Sequence, residues 1–140
     1  MKVLRKETAM ISTKGRYAIR LMIDLAEQNG SSPTKLESIA ERQGISKKYL
    51  ESIVKILVAG GLVKGTSGKG GGYFLTRVPE EYTIYEILRL TEGSLHTVAC
   101  LSSDAPLCPR KAECKTLPMW REFDEMVRKF FSHKTIKDLI

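Results

Sequence analysis

The sequence predicts a mainly α-helical chain with one small β-hairpin. Apolar residues recur at three- and four-residue steps in several segments, as in amphipathic helices. Residues 62–77 instead alternate apolar and polar side chains on both sides of a glycine-rich tip. The chain has 140 residues, of which 42% are hydrophobic. This is the size and composition of one compact domain, and it argues against a two-domain enzyme.

The first predicted helix spans residues 12–28. Ser12 or Thr13 caps its start, because a short hydroxyl side chain can accept a hydrogen bond from a free amide of the first turn. Asn29 and Gly30 are expected to end it. Its predicted apolar face consists of Tyr17, Leu21, Met22 and Leu25.

Two further helices, joined by a turn at a glycine, follow directly. Thr34 and Glu37 have the spacing of a capping box, which predicts that the second helix starts there. Gly44 interrupts the chain, and Ser46 caps a third helix that ends at the glycine pair 60–61. The predicted buried face of this third helix consists of Tyr49, Leu50, Ile53, Val54 and Leu57.

The opposite face of the third helix is polar and mostly basic. In a major groove, such side chains would reach base edges or phosphates. An ordinary solvent-exposed face has the same composition, so this helix alone leaves both interpretations open. The face consists of Lys47, Lys48, Glu51, Ser52 and Lys55.

The hairpin at 62–77 follows the third helix at once and carries Lys64, Lys69 and Arg77. A basic hairpin directly after two helices joined by a turn predicts a winged helix-turn-helix. The glycine-rich tip does not fit a phosphate-binding loop, because Val63 stands where that motif has its first glycine. A strand also follows the tip, so no helix N-terminus is available to a phosphate.

Charge divides the chain into two parts. Residues 1–80 carry 14 Lys and Arg against 7 Asp and Glu, whereas residues 81–140 carry 9 of each. The whole net charge of +7 therefore lies in the first part, which suits contact with a polyanion such as nucleic acid. A basic, solvated surface is the alternative that charge alone leaves open. The neutral second part is expected to serve assembly or regulation.

The second part contains a short helix and, after an irregular segment, a longer one. Thr83 and Glu86 repeat the capping-box spacing, and Pro118 suits the first turn of the last helix. Bulky side chains on that last helix predict a contact with a second subunit, with burial inside the monomer as the alternative. They are Trp120, Phe123, Val127, Phe130 and Phe131.

The irregular segment holds all three cysteines, Cys100, Cys108 and Cys114. An odd number argues against a disulfide framework and leaves metal binding, redox sensing or space filling.

No apolar run approaches the roughly 20 residues that cross a bilayer, and the first nine residues lack the apolar stretch of an export signal. A cytoplasmic protein without membrane contact is therefore expected. Catalysis is not expected, because no histidine triad and no paired acids are discernible.

Three stretches carry a family resemblance: ISTKGRYAIRLM at 11–22, IAERQGISKKYLESIVKILVAGGLVKG at 39–65 and GGGYFLTR at 70–77. They resemble the IscR, NsrR and CymR superfamily of bacterial winged-helix regulators, from Met10 to about Trp120. The resemblance implies a homodimeric transcription factor on a palindromic double-stranded DNA operator. The expected organisation is an N-terminal extension (1–9), a winged helix-turn-helix domain (10–91), a cysteine-containing loop (92–116), and a dimerisation helix with a C-terminal segment (117–140).

The same resemblance assigns DNA contacts to the start of the first helix, the third helix and the hairpin tip. Lys48, Glu51 and Ser52 fall where the family reads bases. Ser67 stands where an IscR-type hairpin has an arginine, so a different operator preference is expected. The predicted DNA contacts are Lys14, Arg16, Tyr17, Ser46, Lys47, Lys48, Tyr49, Glu51, Ser52, Lys55, Ser67 and Lys69.

Members of the family with three cysteines in the irregular segment bind a [2Fe-2S] cluster, and thiolates are ligands that such clusters prefer. The resemblance therefore implies a cluster on the three cysteines. The gap from Cys100 to Cys108 is longer than in the IscR pattern, and Leu117 replaces its histidine ligand. His96 is a candidate for the fourth ligand; weaker candidates are Asp104 and Glu113.

Two alternatives use no cluster. Three cysteines and a histidine could form a structural zinc site, although the closely paired ligands that zinc sites favour are absent. A CymR-like repressor of sulfur metabolism would instead respond through thiols or a partner protein.

Overall fold

The structure, a computed structural model, describes residues 10–28 and 30–140. Within them the elements are α1 (Thr13–Glu27), α2 (Leu36–Gln43), α3 (Lys47–Ala59), β1 (Val63–Thr66), β2 (Gly72–Leu75), α4 (Ile84–Glu92) and α5 (Leu117–His133). The predicted fold class, mainly α-helical with one hairpin, is confirmed. The predicted extension at 1–9 and the predicted helix stop at Asn29 lie outside the described residues.

Hydroxyl caps fix three helix starts where the sequence predicts them. Ser12, Ser46 and Thr83 each accept a hydrogen bond from the backbone amide three residues later, at 3.2, 3.2 and 3.1 Å. Each cap satisfies an amide that has no partner inside its own helix. The carboxylate of Glu86 does not complete the box at Thr83, because it pairs with Arg77 at 2.7 Å.

The capping box predicted at Thr34 and Glu37 is wrong, since α2 starts two residues after Thr34 without a side-chain cap. The backbone of Thr34 exchanges hydrogen bonds of 3.0 and 2.9 Å with that of Tyr73. The carboxylate of Glu37 lies 2.6 Å from the ammonium group of Lys47. Partners distant in sequence therefore take both groups that a local box would have used.

The hairpin pairs β1 and β2 in antiparallel register, from Val63 opposite Leu75 to Thr66 opposite Gly72. The bridge to Thr34 adds a third extended segment at the outer side of β2. Gly72 is needed at this contact, because a Cβ atom there would lie 2.5 Å from the carbonyl oxygen of Thr34. The loop before α2 thus fixes β2 close to the hairpin tip.

One core is shared by the first four helices and the segment after α5. Ile136 lies on a short 3-10 turn, Ile136–Leu139, and is fully buried. Its amide donates to the carbonyl oxygen of Tyr82 at 3.0 Å. The other fully buried side chains of this core include Leu21, Met22, Ile39, Leu50, Ile53, Leu57, Leu62 and Ile87.

The bulky residues of α5 divide between two faces instead of forming the single stripe predicted. Trp120, Val127 and Phe131 are partly buried, and Phe131 packs against the core. A second set is exposed and follows steps of four, three and four residues. We call this set the α5 stripe; it consists of Met119, Phe123, Met126 and Phe130. No helix in the described part of the chain is long and apolar enough to span a membrane.

Candidate nucleic-acid interface and cysteine cavity

The polar face of α3 is exposed along its length, as the amphipathic pattern predicts. Lys48, Glu51 and Lys55 lie in solvent. Ser52 is also exposed, and its hydroxyl donates to the carbonyl oxygen of Tyr49 at 2.7 Å. Ser46 is occupied as the helix cap. The face therefore presents basic side chains with one carboxylate, while Ser52 and the capping Ser46 already have backbone partners.

A groove of about 970 Å³ separates α3 from the hairpin. Its charged lining is contributed by the start of α2, the start of α3 and the hairpin tip. Ser67 and Lys69 form part of its outer wall. The charged residues around the groove are Lys35, Glu37, Lys47, Glu51 and Lys69.

Lys47, predicted to contact DNA, is held across this groove by Glu37. Their hydrogen bond lowers the pKa of the Glu37 carboxyl and raises the pKa of the Lys47 ammonium group. Both side chains are about half exposed, at 60% and 48%. The pair is therefore open to exchange with another anion, such as a phosphate.

The start of α1 lies against the start of α3 through two tyrosines. The rings of Tyr17 and Tyr49 meet edge to face with centroids 5.6 Å apart. The guanidinium group of Arg20 lies 5.2 Å from the Tyr17 ring centroid. Both tyrosines are partly buried, so packing is part of their role. Of the other two contacts predicted on α1, Arg16 is exposed and Lys14 is partly buried.

A buried carboxylate that the sequence reading missed ties α1 to the turn before α3. Asp24, 1% exposed, accepts two hydrogen bonds from Arg42 at 3.0 and 2.7 Å and one from the Gln43 amide at 3.0 Å. Arg20 in turn donates to the side chain of Gln43 at 3.2 Å. An acidic residue three positions after Leu21, inside the apolar face of α1, is the signal that could have revealed this network.

Tyr82 anchors the base of the hairpin. Its buried hydroxyl accepts from the amides of Thr76 and Arg77, both at 2.8 Å, and donates to the carbonyl oxygen of Leu62 at 2.8 Å. Arg77, predicted as a basic hairpin residue, instead pairs with Glu86 and lies 5.0 Å from the Tyr82 ring centroid. The hairpin is thereby fixed to α4.

All three cysteines line one cavity of about 300 Å³. Cys100 and Cys108 are exposed and Cys114 is partly buried. Two cationic side chains, Lys111 and Arg121, belong to the same wall. The pKa of the Cys114 thiol is lowered, chiefly by the hydroxyl of Thr116 at 3.5 Å and further by nearby backbone amides. The cavity therefore favours the thiolate form at Cys114.

The other candidate ligands lie outside this cavity. His96 lines a different cavity, where its Nδ1 is 2.9 Å from a carboxylate oxygen of Asp124. Neither Asp104 nor Glu113 lines the cysteine cavity. Across residues 10–28 and 30–140, no three or more His, Cys, Asp or Glu side chains are grouped to hold a metal ion. The donor set therefore fits an iron-sulfur cluster in kind, but the cysteine segment would have to close around it.

Comparison with known proteins gives one family match. The family model described as Rrf2, iron-dependent transcriptional regulator, matches residues 11–140.

Two relatives and one solved structure illustrate the similarity. The transcriptional regulator CymR of Bacillus subtilis strain 168 is 38% identical over 129 residues, covering 92% of this chain and 88% of that protein. The regulator IscR of Photorhabdus laumondii subsp. laumondii is 32% identical over 130 residues, covering 93% and 78%. The structure of CymR from B. subtilis, described as its global cysteine regulator, matches with a TM-score of 0.75 and 36% identity over 94% of this chain and 96% of that one.

Proposed function

The chain belongs to the Rrf2 family of transcriptional regulators, and we propose that it acts as a homodimer whose α3 and hairpin bind a palindromic DNA operator in the cytoplasm. The resemblance to the IscR, NsrR and CymR group is confirmed by the family match and by relatives of both the CymR and IscR kinds. The observation that carries the proposal is the exposed basic face of α3 beside a groove whose outer wall carries Lys69. Such a face can lie in a major groove while the hairpin follows the adjacent backbone.

Charge assigns different roles to the residues of this face. Lys48, Lys55 and Lys69 would neutralise phosphates, which contributes affinity without sequence preference. Glu51 repels phosphates but can accept a hydrogen bond from the N4 amino group of cytosine, so it would select sequence. Arg16, at the start of α1, would add a further phosphate contact.

A second copy of the chain is the proposed occupant of the α5 stripe. Its spacing is that of a helix-helix seam, and four large apolar side chains between 46% and 62% exposed are unusual on a lone helix. Two-fold pairing through α5 would place two α3 helices on half-sites about one helical turn apart.

Selection of bound duplexes from a random library tests the DNA proposal. We expect a palindrome, and we expect Lys48→Ala and Lys69→Ala each to weaken binding to all duplexes and to reduce the salt slope by about 0.9. Glu51→Gln should instead change the selected sequence. Lys137→Ala, on the C-terminal turn, is the matched control and should bind normally. Equal binding by all four variants would refute the proposed surface.

Sedimentation of a stripe variant tests the dimer. Phe123→Glu places a charge within the α5 stripe and should yield monomers that no longer favour the palindrome. Leu107→Glu introduces the same charge at an apolar residue that is 86% exposed but lies outside α5, and it should remain dimeric. Loss of the dimer in both variants, or in neither, would contradict the stripe as the interface.

For regulation, we propose that the three cysteines hold a [2Fe-2S] cluster. The observation that supports this is their common cavity. When bound, such a cluster supplies a group whose presence or redox state responds to iron, oxidants or nitric oxide. Lys111 and Arg121 would offset the negative charge of the thiolates. His96 stays a candidate for the fourth ligand, although its Nδ1 is engaged with Asp124.

The end of α4 is hydrogen-bonded to the start of α1, which would face DNA in the proposed complex. Glu92 ends α4, and its carboxylate accepts hydrogen bonds from the amide and hydroxyl of Ser12 at 3.1 and 2.6 Å. We propose that ordering of residues 96–115 acts on α1 and α5 through such contacts and changes the spacing of the two α3 helices. Hydrogen exchange across these residues should slow when the cluster is bound, and equal exchange with and without it would remove this coupling.

Anaerobic purification, with an absorption spectrum and iron and sulfide analysis, tests the cluster. A brown protein that loses its colour and its iron in Cys108→Ser is the expected result. Colourless protein that contains zinc would favour the structural zinc site. Metal-free protein whose operator binding is unchanged by Cys108→Ser would favour the cluster-free, CymR-like alternative. The 38% identity to CymR is the observation that supports this alternative.

A further inference from the structure

A second cavity, which shares no lining residue with the cysteine cavity, lies between α4, α5 and the loop after α4. Its volume is about 250 Å³. Pockets that hold drug-sized ligands measure about 300–1,000 Å³, so this one suits a smaller molecule. Most of the lining residues are of polar types: Tyr85, Arg89, Gly93, Ser94, Leu95, His96, Ser103, Asp124 and Arg128.

Arg89 brings a positive charge to the α4 side of this cavity. Its Nη1 donates to the hydroxyl of Tyr85 at 3.3 Å, and its guanidinium group lies 5.9 Å from the centroid of the same ring. Among residues 10–28 and 30–140, no carboxylate lies within ion-pair distance of Arg89. The phenol therefore orients the guanidinium group without neutralising it.

Arg128 brings a second guanidinium group from the α5 side. It pairs with Glu125 three residues earlier, and both side chains are exposed, so this ion pair exchanges readily with other anions. The pKa of Arg128 is raised, mainly by the hydrogen bonds to Glu125 and to a lesser extent by Tyr85. The cavity is thus lined by two guanidinium groups, one from each helix.

The carboxylate of Asp124, which also lines the cavity, already has partners. It accepts from the amide of Thr97 at 2.7 Å and lies 2.9 Å from Nδ1 of His96. Burial acts to raise the pKa of Asp124, but these bonds outweigh it and leave the pKa lowered. Asp124 therefore fixes the loop to α5, and the hydroxyls of Ser94 and Ser103 remain on the wall as further hydrogen-bonding groups.

We propose that this cavity binds a small oxyanion, a carboxylate or phosphate compound, between Arg89 and Arg128. Two guanidinium groups on facing helices match the paired oxygens of such anions. A bound anion would join α4 to α5 and so restrain the helix that carries the α5 stripe relative to the rest of the chain. Its effect on operator binding rests on the function proposed above, whereas the binding itself does not.

Calorimetric titration with inorganic phosphate and with succinate, at constant ionic strength, tests the site. We expect saturable binding of at least one of them and a Tm that rises with its concentration. Arg89→Gln should weaken that binding about tenfold or more, because a charged hydrogen-bond donor is lost. Arg89→Lys should retain part of it, and Lys137→Gln should bind as the parent chain does.

Two results would overturn the site: no saturable binding of either probe, or equal binding by the parent chain and Arg89→Gln. If circular dichroism shows that Arg89→Gln does not fold, Arg128→Gln takes its place with the same expected loss. Titrations are made without DNA, and operator affinity is measured separately with and without the anion. If the chain bound the anion but no operator, that result would refute the proposed function and would leave the proposed anion site intact.

Discussion

At the scale of single residues, the pair formed by Glu37 and Lys47 sets how much of the basic surface is available. Their charged groups lie 2.6 Å apart across the groove between α3 and the hairpin. The hydrogen bond from Lys47 lowers the pKa of Glu37 below its ordinary value, which favours the carboxylate beside Lys47. Lys47 can therefore reach a phosphate only by leaving Glu37, which then repels the same phosphate.

Glu37→Gln should consequently raise DNA affinity about two- to fivefold, since an exposed ion pair restrains its two side chains only weakly. It should also make the salt slope steeper by about 0.9, because Lys47 becomes available for one more phosphate. Fluorescence anisotropy over a range of salt concentrations measures both quantities. Glu80→Gln, an exposed carboxylate outside the groove, should change neither. A lower affinity in Glu37→Gln would show that the pair instead holds Lys47 in its binding position.

Thr116 controls a second residue-scale property, the acidity of Cys114. Because the pKa of this thiol is lowered chiefly by the Thr116 hydroxyl, Thr116→Val should raise it. Iodoacetamide should then alkylate Cys114 severalfold more slowly at neutral pH. The alkylation rate is measured by mass spectrometry on metal-free protein. The difference should vanish at high pH, where the thiol is ionised in both proteins. Ser102→Ala, on the wall of the cysteine cavity, is the control. Equal alkylation rates for Thr116→Val and the parent chain at neutral pH would exclude the Thr116 hydroxyl as the cause.

At the scale of elements, the position of the hairpin depends on the contact between β2 and the loop before α2. Gly72→Ala would place a methyl group 2.5 Å from the carbonyl oxygen of Thr34, and a backbone atom cannot swing aside. We expect a loss of about 1–3 kcal/mol in the free energy of unfolding and weaker DNA binding. Urea denaturation and DNA titration measure the two effects. Ser67→Ala, on the exposed tip, should stay within about 0.5 kcal/mol in stability. If Gly72→Ala kept the stability and the DNA affinity of the parent chain, the bridge to Thr34 would be dispensable.

Local signals predicted the elements well. The caps at Ser12, Ser46 and Thr83, the apolar faces of α1 and α3 and the alternation of the hairpin each depend on residues within a few positions of one another. The box at Thr34 failed because its groups found partners in Tyr73 and Lys47, which no local pattern reveals.

The candidate site likewise has some features that local sequence patterns predict and others that depend on tertiary contacts. The helix and hairpin surfaces follow from periodicity, and the three cysteines, which are clustered in one irregular segment of the sequence, line one cavity. The engagement of His96 by Asp124 joins residues 28 positions apart, so sequence alone could not show it. The buried network of Asp24 is likewise a tertiary contact, between α1 and the end of α2.

At the scale of the whole molecule, the segment after α5 shares one core with α1, α2, α3 and α4. Ile136 is fully buried, the Ile84 amide donates to the carbonyl oxygen of Lys134 at 2.8 Å, and Tyr82 connects this segment to the base of the hairpin. A shift of α5 would therefore move the residues that fix the hairpin. A displacement of the expected dimerisation helix would therefore be transmitted to the expected DNA-binding domain through this shared core.

Ile136→Ala should lower the free energy of unfolding by about 2–5 kcal/mol, because it leaves a cavity in the shared core. Ile140→Ala, at a side chain that is 46% exposed, should change it by less than about 0.5 kcal/mol. Urea denaturation followed by circular dichroism measures both variants. If the two variants proved equally stable, Ile136 would have no structural role in the core.

The burial of Ile136 also sets an order of events during synthesis. While that residue is still inside the ribosome, the hydrophobic centre beneath the hairpin lacks one of its members, and the carbonyl group of Tyr82 lacks its partner. A nascent chain whose helix-turn-helix has already left the ribosome would therefore still lack a complete core beneath the hairpin. Competence to recognise DNA would come only after the C-terminal segment has left the exit tunnel and docked.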